Sequence, residues 1–369
     1  MVVDLYSTAI IATAIVISGI IGIRAKISSS IIEVLAGAIL ANVLLVKIES
    51  WLEFLATFGG LTLTFLAGSE VESALLKRKA KASGIIGTMA FVVPLAAEIA
   101  FLTLITDWTW QTKFAMSLAL TTTSVAVVYA VLTEYELMRT DLGRTIVAVT
   151  FVNDILVIVG ISFIQPSFDI ITAIFLLTLP ALVFVVPRLI NNLTLKYGKR
   201  AIEVELRFIF AALFLVSFFA DEAKMHAVFG AFILGLIFAN SLQKHQEIMG
   251  KMRTVTFTVL SPAFFIKAGM LISFASVMQS LVLILGLLGV KLAAKFGGCY
   301  LLCKKWIPEG PEFSTLLFST GLTIGTITAT VGRDLGVLNQ DQFTVALTAV
   351  ILSAVVPTLI AKRFVPKKI

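Results

Sequence analysis

The chain reads as a succession of long apolar runs separated by short polar turns. It shows neither the two-residue alternation of half-buried strands nor the one-sided periodicity of helices lying at a water surface. Thirteen runs stand out, near 4–22, 30–47, 53–71, 83–105, 113–132, 144–164, 168–187, 204–220, 225–241, 255–273, 277–302, 313–331 and 342–361. Most are close to the roughly 20 residues that a helix needs to cross a bilayer. Strands of a membrane barrel would alternate over about ten residues, and these runs do not. In hydrocarbon a helix satisfies every backbone group within its own segment, so continuous runs predict helices. The expected fold is an all-α integral membrane protein of 13 transmembrane helices.

Composition agrees. Hydrophobic residues make up 59% of the chain and charged residues 14%, with a mean hydropathy of +1.02. A soluble domain carries about a quarter charged residues. The net charge of +7 is a topology signal, because most of the Lys and Arg residues follow odd-numbered runs. Examples are Lys77-Arg78-Lys79, Lys304-Lys305 and Lys362-Arg363, whereas only Lys47, Lys113, Lys224 and Arg333 follow even ones. By the positive-inside rule, this predicts a multi-pass protein of the cell membrane with its N-terminus outside and its C-terminus cytoplasmic. The same reading sets nucleic acid aside as a partner.

Several chemistries are excluded. Two cysteines, Cys299 and Cys303, and two histidines support neither a disulfide framework nor a zinc site. There is no phosphate-binding GxxxxGK[ST] loop and no HExxH, so no nucleotide, cofactor or enzymatic activity is expected. The longest connection, about 188–203, leaves no room for a soluble regulatory domain.

The sharpest chemical signal is Asp154, midway along the apolar run Val149–Val159. A carboxylate at such a depth costs roughly 3 kcal/mol by insertion scales, and intramembrane acids mark ion and proton pathways. A carboxyl group withdrawn from water favours its protonated form, and its oxygens suit a hard cation. One group that takes either passenger is the minimum needed for exchange.

Polar clusters give the second signal. Thr121-Thr122-Thr123-Ser124 interrupts the fifth run and Ser319-Thr320-Gly321-Leu322-Thr323 the twelfth. Such clusters at mid-depth favour helix breaks, whose freed carbonyls can meet an ion. They lie seven runs apart, as do Phe65-Leu66-Ala67-Gly68 and Phe264-Phe265-Ile266-Lys267-Ala268-Gly269. An odd offset predicts two repeats of opposite orientation. Candidate direct ligands of a monovalent cation are therefore Asp154, Thr122 and Thr123.

Lysines give the third. Lys291 and Lys295 lie one helical turn apart on one face, and a lysine buried there needs a carboxylate or loses its charge. Either one, paired with Asp154, would be released when a cation arrives. Glu70, Lys267 and Glu98 are secondary candidates, with Glu70 a possible partner of Lys267. Glu33 reads as interfacial.

These residues also carry a family likeness. Phe65–Glu70, Thr122–Val128, Thr145 through Asn153-Asp154, Gly230–Leu236, Pro262–Met270, Lys295-Phe296-Gly297-Gly298 and Ser319–Thr323 resemble, in order and spacing, the monovalent cation–proton antiporter superfamily, in its sodium–proton / Kef-type branch. The resemblance implies an elevator-type homodimer with crossed broken helices. It assigns 1–82 and 200–275 to a scaffold and dimerisation domain, 167–190 to a linker helix, and 83–165 and 277–361 to the ion-carrying core. It places the ion-binding site on Asp154 with Asn153 beside it and on Thr122 and Thr123, and the core lysine on Lys295, with Lys291 as the alternative. Asn153 beside Asp154 implies electroneutral exchange, while the core lysine belongs to the charge-moving pattern, so stoichiometry stays open. The expected function is sodium–proton exchange, possible for lithium or potassium as well. The alternatives are a potassium–proton antiporter and a sodium-coupled organic-anion symporter on a similar inverted-repeat fold.

Overall fold

A computed structural model of the chain describes residues 5–25, 27–164, 170–175, 177–178, 185, 188–189 and 203–366. The linker helix expected at 167–190 and the connection at 188–203 lie largely outside these residues. Among the described residues there is no β-strand. Eight helical segments among the described residues are long and apolar enough to cross a membrane, and the helices Ser29–Asn42 and Ala227–Gln243 are shorter apolar ones.

The first part of the chain forms α1 (Leu5–Ala25), α2 (Ser29–Asn42), α3 (Ser50–Ser69), the short α4 (Ser73–Arg78) and α5 (Ala80–Ile105). Then come α6 (Trp110–Leu120), α7 (Val125–Glu134) and α8 (Asp141–Ile161). Beyond the gap lie α9 (Val204–Glu222), α10 (Ala227–Lys244), α11 (Gln246–Val255) and α12 (Ser261–Met270). The last stretch is α13 (Phe274–Gln279), α14 (Leu281–Trp306), α15 (Pro311–Phe318), α16 (Thr323–Asp334) and α17 (Gln340–Ala361).

Three differences from the apolar pattern have physical causes. The second run is shorter as a helix than expected: α2 stops at Asn42 and Leu45 adopts a left-handed backbone at φ 54°. A polar helix, α11, precedes the tenth run and continues into it through a π-helical turn, Thr256–Leu260. Pro262 follows that turn and has no N–H to give the preceding ladder, so the hydrogen-bond register slips before it. Glu33, read as interfacial, is buried within α2.

The outer faces of the long helices are apolar, with Leu104 85% and Val282 87% exposed. Large side chains so placed fit a hydrocarbon surrounding. Inside, helices meet at small residues, the usual solution where lipid is as apolar as the side chains.

The chain divides into two compact units. One comprises Met1–Glu49, Ala74–Ile164 and Phe265–Ile369, and the other Ser50–Ser73 and Gln165–Phe264. In the smaller unit α3 crosses α10, and a Cβ on Gly235 would collide with the Phe65 carbonyl. In the larger, α2 crosses α12, and a Cβ on Gly269 would collide with the Val34 carbonyl. All members of the site described next belong to the larger unit.

Candidate ion-binding site

The fifth and twelfth runs are both interrupted where their polar clusters fall. Between α6 and α7 the backbone leaves the helix at Thr121 and re-enters at Val125, with the Ser124 hydroxyl accepting the Val127 N–H. Between α15 and α16 it leaves at Ser319 and re-enters at Thr323. The two interruptions touch. The Thr123 hydroxyl donates to the Phe318 carbonyl at 2.9 Å, and Ser124 N–H reaches the Thr320 hydroxyl at 3.4 Å. Each break leaves backbone carbonyls and N–H groups unpaired within its own helix, and a membrane interior tolerates that only where protein supplies partners.

The α8 helix supplies them at the first break. It is capped by the Thr140 hydroxyl, which accepts the Gly143 N–H, and it presents Asn153 and Asp154 to the core. The Asn153 side-chain oxygen accepts the Thr123 N–H at 3.0 Å, and its amide points at the Thr121 carbonyl at 3.5 Å. Asn153 thus spans the break as both donor and acceptor, a task that a carboxylate, which only accepts, would leave half done. Asp154, next along the helix, is 2% exposed.

The α14 helix contributes both lysines, each fully buried. Lys295 Nζ donates to the Thr121 carbonyl at 2.9 Å and lies 3.3 Å from the Thr123 hydroxyl. An ammonium at the C-terminal end of α6 also meets the negative end of the helix dipole. Glu98 and Asp154 both act electrostatically on Lys295. Lys291 Nζ donates instead to the Ser353 hydroxyl of α17 at 2.9 Å. That hydroxyl in turn donates to the Val350 carbonyl at 2.8 Å and faces the Gly321 carbonyl at 3.4 Å.

The structure therefore gathers Asp154, Asn153, Thr123 and Lys295 at the first break. Thr122 lies in the same stretch, its hydroxyl turned back onto the Ala119 carbonyl at 3.0 Å. Lys291 belongs to the second break. Glu98 of α5 is fully buried beside the lysine pair. Lys267 lies in α12 and is largely buried. Glu70, considered as its partner, accepts from Arg253 at 2.7 Å. Arg253 is on the polar helix α11, which the hydropathy pattern did not reveal. Ser353 was also missed, although a lone serine in Val350-Ile351-Leu352-Ser353-Ala354 was the visible signal.

Residues 9–367 match the family model described as sodium/hydrogen exchanger, transmembrane. The chain belongs to this family. Its relatives include the probable Na(+)/H(+) antiporter 3 of Methanocaldococcus jannaschii, 24% identical over 88% of this chain and 86% of that one. The Na(+)/H(+) antiporter of Enterococcus hirae is 25% identical, with 84% of each chain covered. The Na(+)/H(+)-K(+) antiporter GerN of Bacillus cereus is 22% identical over 95% and 93%. The fold is similar to that of the sodium proton antiporter MjNhaP1 from M. jannaschii, with a TM-score of 0.72, 16% identity, and 97% and 96% of the two chains covered. The exchanger family is a family of transporters, and the chain is a multi-pass membrane protein.

Proposed function

We propose that this chain is a secondary active transporter that exchanges sodium for protons at Asp154, by alternating access. One observation carries the reading. A buried carboxylate lies at a helix break whose oxygens, the Thr121 carbonyl and the Thr123 hydroxyl, are engaged by the positive charge of Lys295. An ammonium on backbone and hydroxyl oxygen stands where a desolvated monovalent cation would find its ligands.

The cycle follows from competition. Facing the side of low proton concentration, Asp154 loses its proton and sodium binds to its carboxylate, with the Thr122 and Thr123 oxygens completing the shell. The arriving cation displaces Lys295 from the break. Asn153 holds the interrupted backbone open, so the ligands need little rearrangement. On the other side a proton takes the carboxyl, sodium leaves and Lys295 returns. Either passenger neutralises the Asp154 carboxylate, so the sodium-loaded and proton-loaded sites present the same charge to the low-dielectric interior. Sodium and proton gradients suffice to drive the exchange, because each shifts the same equilibrium.

The movement fits an elevator, with 83–165 and 277–361 as the carrying core, 1–82 and 200–275 as a scaffold holding a homodimer, and 167–190 as the linker. Two inverted repeats would give the core its paired breaks. Basic loops put the N-terminus outside and the C-terminus in the cytoplasm. No resident cofactor or nucleotide takes part in this scheme.

Purified protein in vesicles containing a pH-sensitive dye tests the reading. Sodium pulses are expected to dequench the dye, with lithium and potassium setting the selectivity order. Sodium uptake without proton countermovement would contradict the reading. Sodium-driven entry of an organic anion would favour the symporter alternative instead.

A further inference from the structure

One end of the larger unit is knitted together by side chains that the exchange scheme leaves unused. On the topology proposed above it is the outer end, where α2 and α12 finish and α17 begins. Between α12 and α13 the chain passes through residues 271–273, and helices on both sides grip it. From α2, the Asn42 amide donates to the Ile272 carbonyl at 2.7 Å, and its oxygen accepts the Phe274 N–H at 3.1 Å. From α17, the Thr344 hydroxyl accepts the Ser273 N–H at 3.3 Å. The Gln340 amide donates to the Leu271 carbonyl, and the Asp341 carboxylate accepts the Ser276 hydroxyl. Residues 271–276 thus form a strap tied to two different helices.

The two attachments are not equivalent. A Cβ on Gly37 of α2 would collide with the Ile266 carbonyl of α12, and one on Gly269 of α12 with the Val34 carbonyl of α2. Backbones in such direct contact move as one body, because close-packed interfaces do not slide freely. Asn42 fixes the strap to that body, and its amide also donates to the Ala38 carbonyl at 2.9 Å. On the other side the first turn of α17 is preformed by the Asn339–Gln342 capping box. Its holds on the strap are single side-chain hydrogen bonds, and Gln340 and Asp341 are exposed. Water can replace such bonds at small net cost. In the division proposed above, α2 and α12 belong to the scaffold and α17 to the core, so the strap sits where the chain passes from one to the other.

We infer that residues 271–276 are an outer latch, anchored to the scaffold by Asn42 and released by Ser276, Ser273 and Leu271 from α17 when the core moves. The latched form keeps the outer route to Asp154 closed. This rests on the exchange reading above and adds to it the contacts that bias which side the site faces. Bonds made in one of two states shift the balance between them by their own free energy and no more.

Ser276→Ala combined with Thr344→Val removes two of the α17 holds with little change of shape and none of charge. The sodium KM of exchange is then read in vesicles of uniform orientation, with sodium presented to the outer face and, separately, to the cytoplasmic face. Two hydrogen bonds lost from the latched state alone are expected to lower the outer KM roughly fivefold, while the cytoplasmic KM holds or rises. A merely structural strap would lower the melting temperature without splitting the two faces. An outer KM that is unchanged or raised, or a cytoplasmic KM that falls as well, would overturn the latch. A second readout needs no transport. Spin labels on Val43→Cys and Asp334→Cys, in a chain carrying Cys299→Ala and Cys303→Ala, report the separation of α2 and α16. The same two substitutions are expected to enlarge a second population of distances, and an unaltered distribution would overturn the latch. If wild type shows no sodium-coupled exchange, the proposed function fails and the distances still decide whether the strap opens.

Discussion

The two helix breaks share a plan and differ in what fills them. Both interrupt an apolar run with a short polar stretch, and both receive a lysine from α14, Lys295 at the first and Lys291 at the second. The first break, Thr121–Ser124, has no glycine, is spanned by the Asn153 amide and has Asp154 beside it. The second contains Gly321, packs against Ser353 and has no acid of its own helices at the break. A Cβ on Gly321 would lie 2.7 Å from both Lys291 Nζ and the Thr122 hydroxyl, so glycine makes room there for the ammonium. On the proposed exchange reading the first break holds the competing charges, while at the second Lys291 is held by the Ser353 hydroxyl.

Substitutions can break this contrast in order of effect. Asp154→Asn is expected to reduce sodium-dependent pH change in vesicles to the level of protein-free controls, with the helical circular dichroism of the purified protein unchanged. Retained exchange would remove the asymmetry between the breaks. Asn153→Ala strips the Thr123 N–H of its acceptor and the Thr121 carbonyl of its amide. The Thr121 carbonyl keeps its Lys295 donor, and the buried Thr123 N–H left unsatisfied costs about 1–3 kcal/mol, which thermal unfolding in detergent would register together with slower exchange. Gly321→Ala crowds the second break, and overpacking of this kind costs typically 1–3 kcal/mol. Its expected mark is a lower melting temperature together with a raised sodium KM, since the added methyl also presses on the Thr122 hydroxyl. At the bottom of the scale, Lys79→Ala removes a boundary ion pair with Asp141, which is 64% exposed. Such pairs contribute about 0–1 kcal/mol, so neither melting nor exchange should move appreciably. A large loss there would show that the energetics lie outside the breaks.

Much of this was legible in the chain. Length and apolarity of the runs announce helices in a membrane, because hydrocarbon leaves the backbone few options. Asp154 announces itself by its cost, and the Thr and Ser clusters by their poor fit to an apolar run. What the pattern conceals is pairing. Nothing in the spacing of Lys291 and Lys295 tells which break each one serves, since residues one turn apart share a face and differ only in depth. Ser353 looks like an ordinary small residue until Lys291 Nζ is placed beside it. The polar helix α11 and its ion pair with Glu70 escape a hydropathy reading, and so does the end of α2 at Asn42, where the run stays apolar but the backbone turns.

The central claim is that sodium and proton compete for one carboxylate. The most direct test is the sodium KM of exchange measured across pH in vesicles with both faces buffered. Competition at Asp154 predicts that, on the acid side, the KM rises about tenfold per pH unit, while the rate at saturating sodium holds steady. A KM indifferent to pH, with the saturating rate falling as protons accumulate, would mean that the two ions bind at separate places.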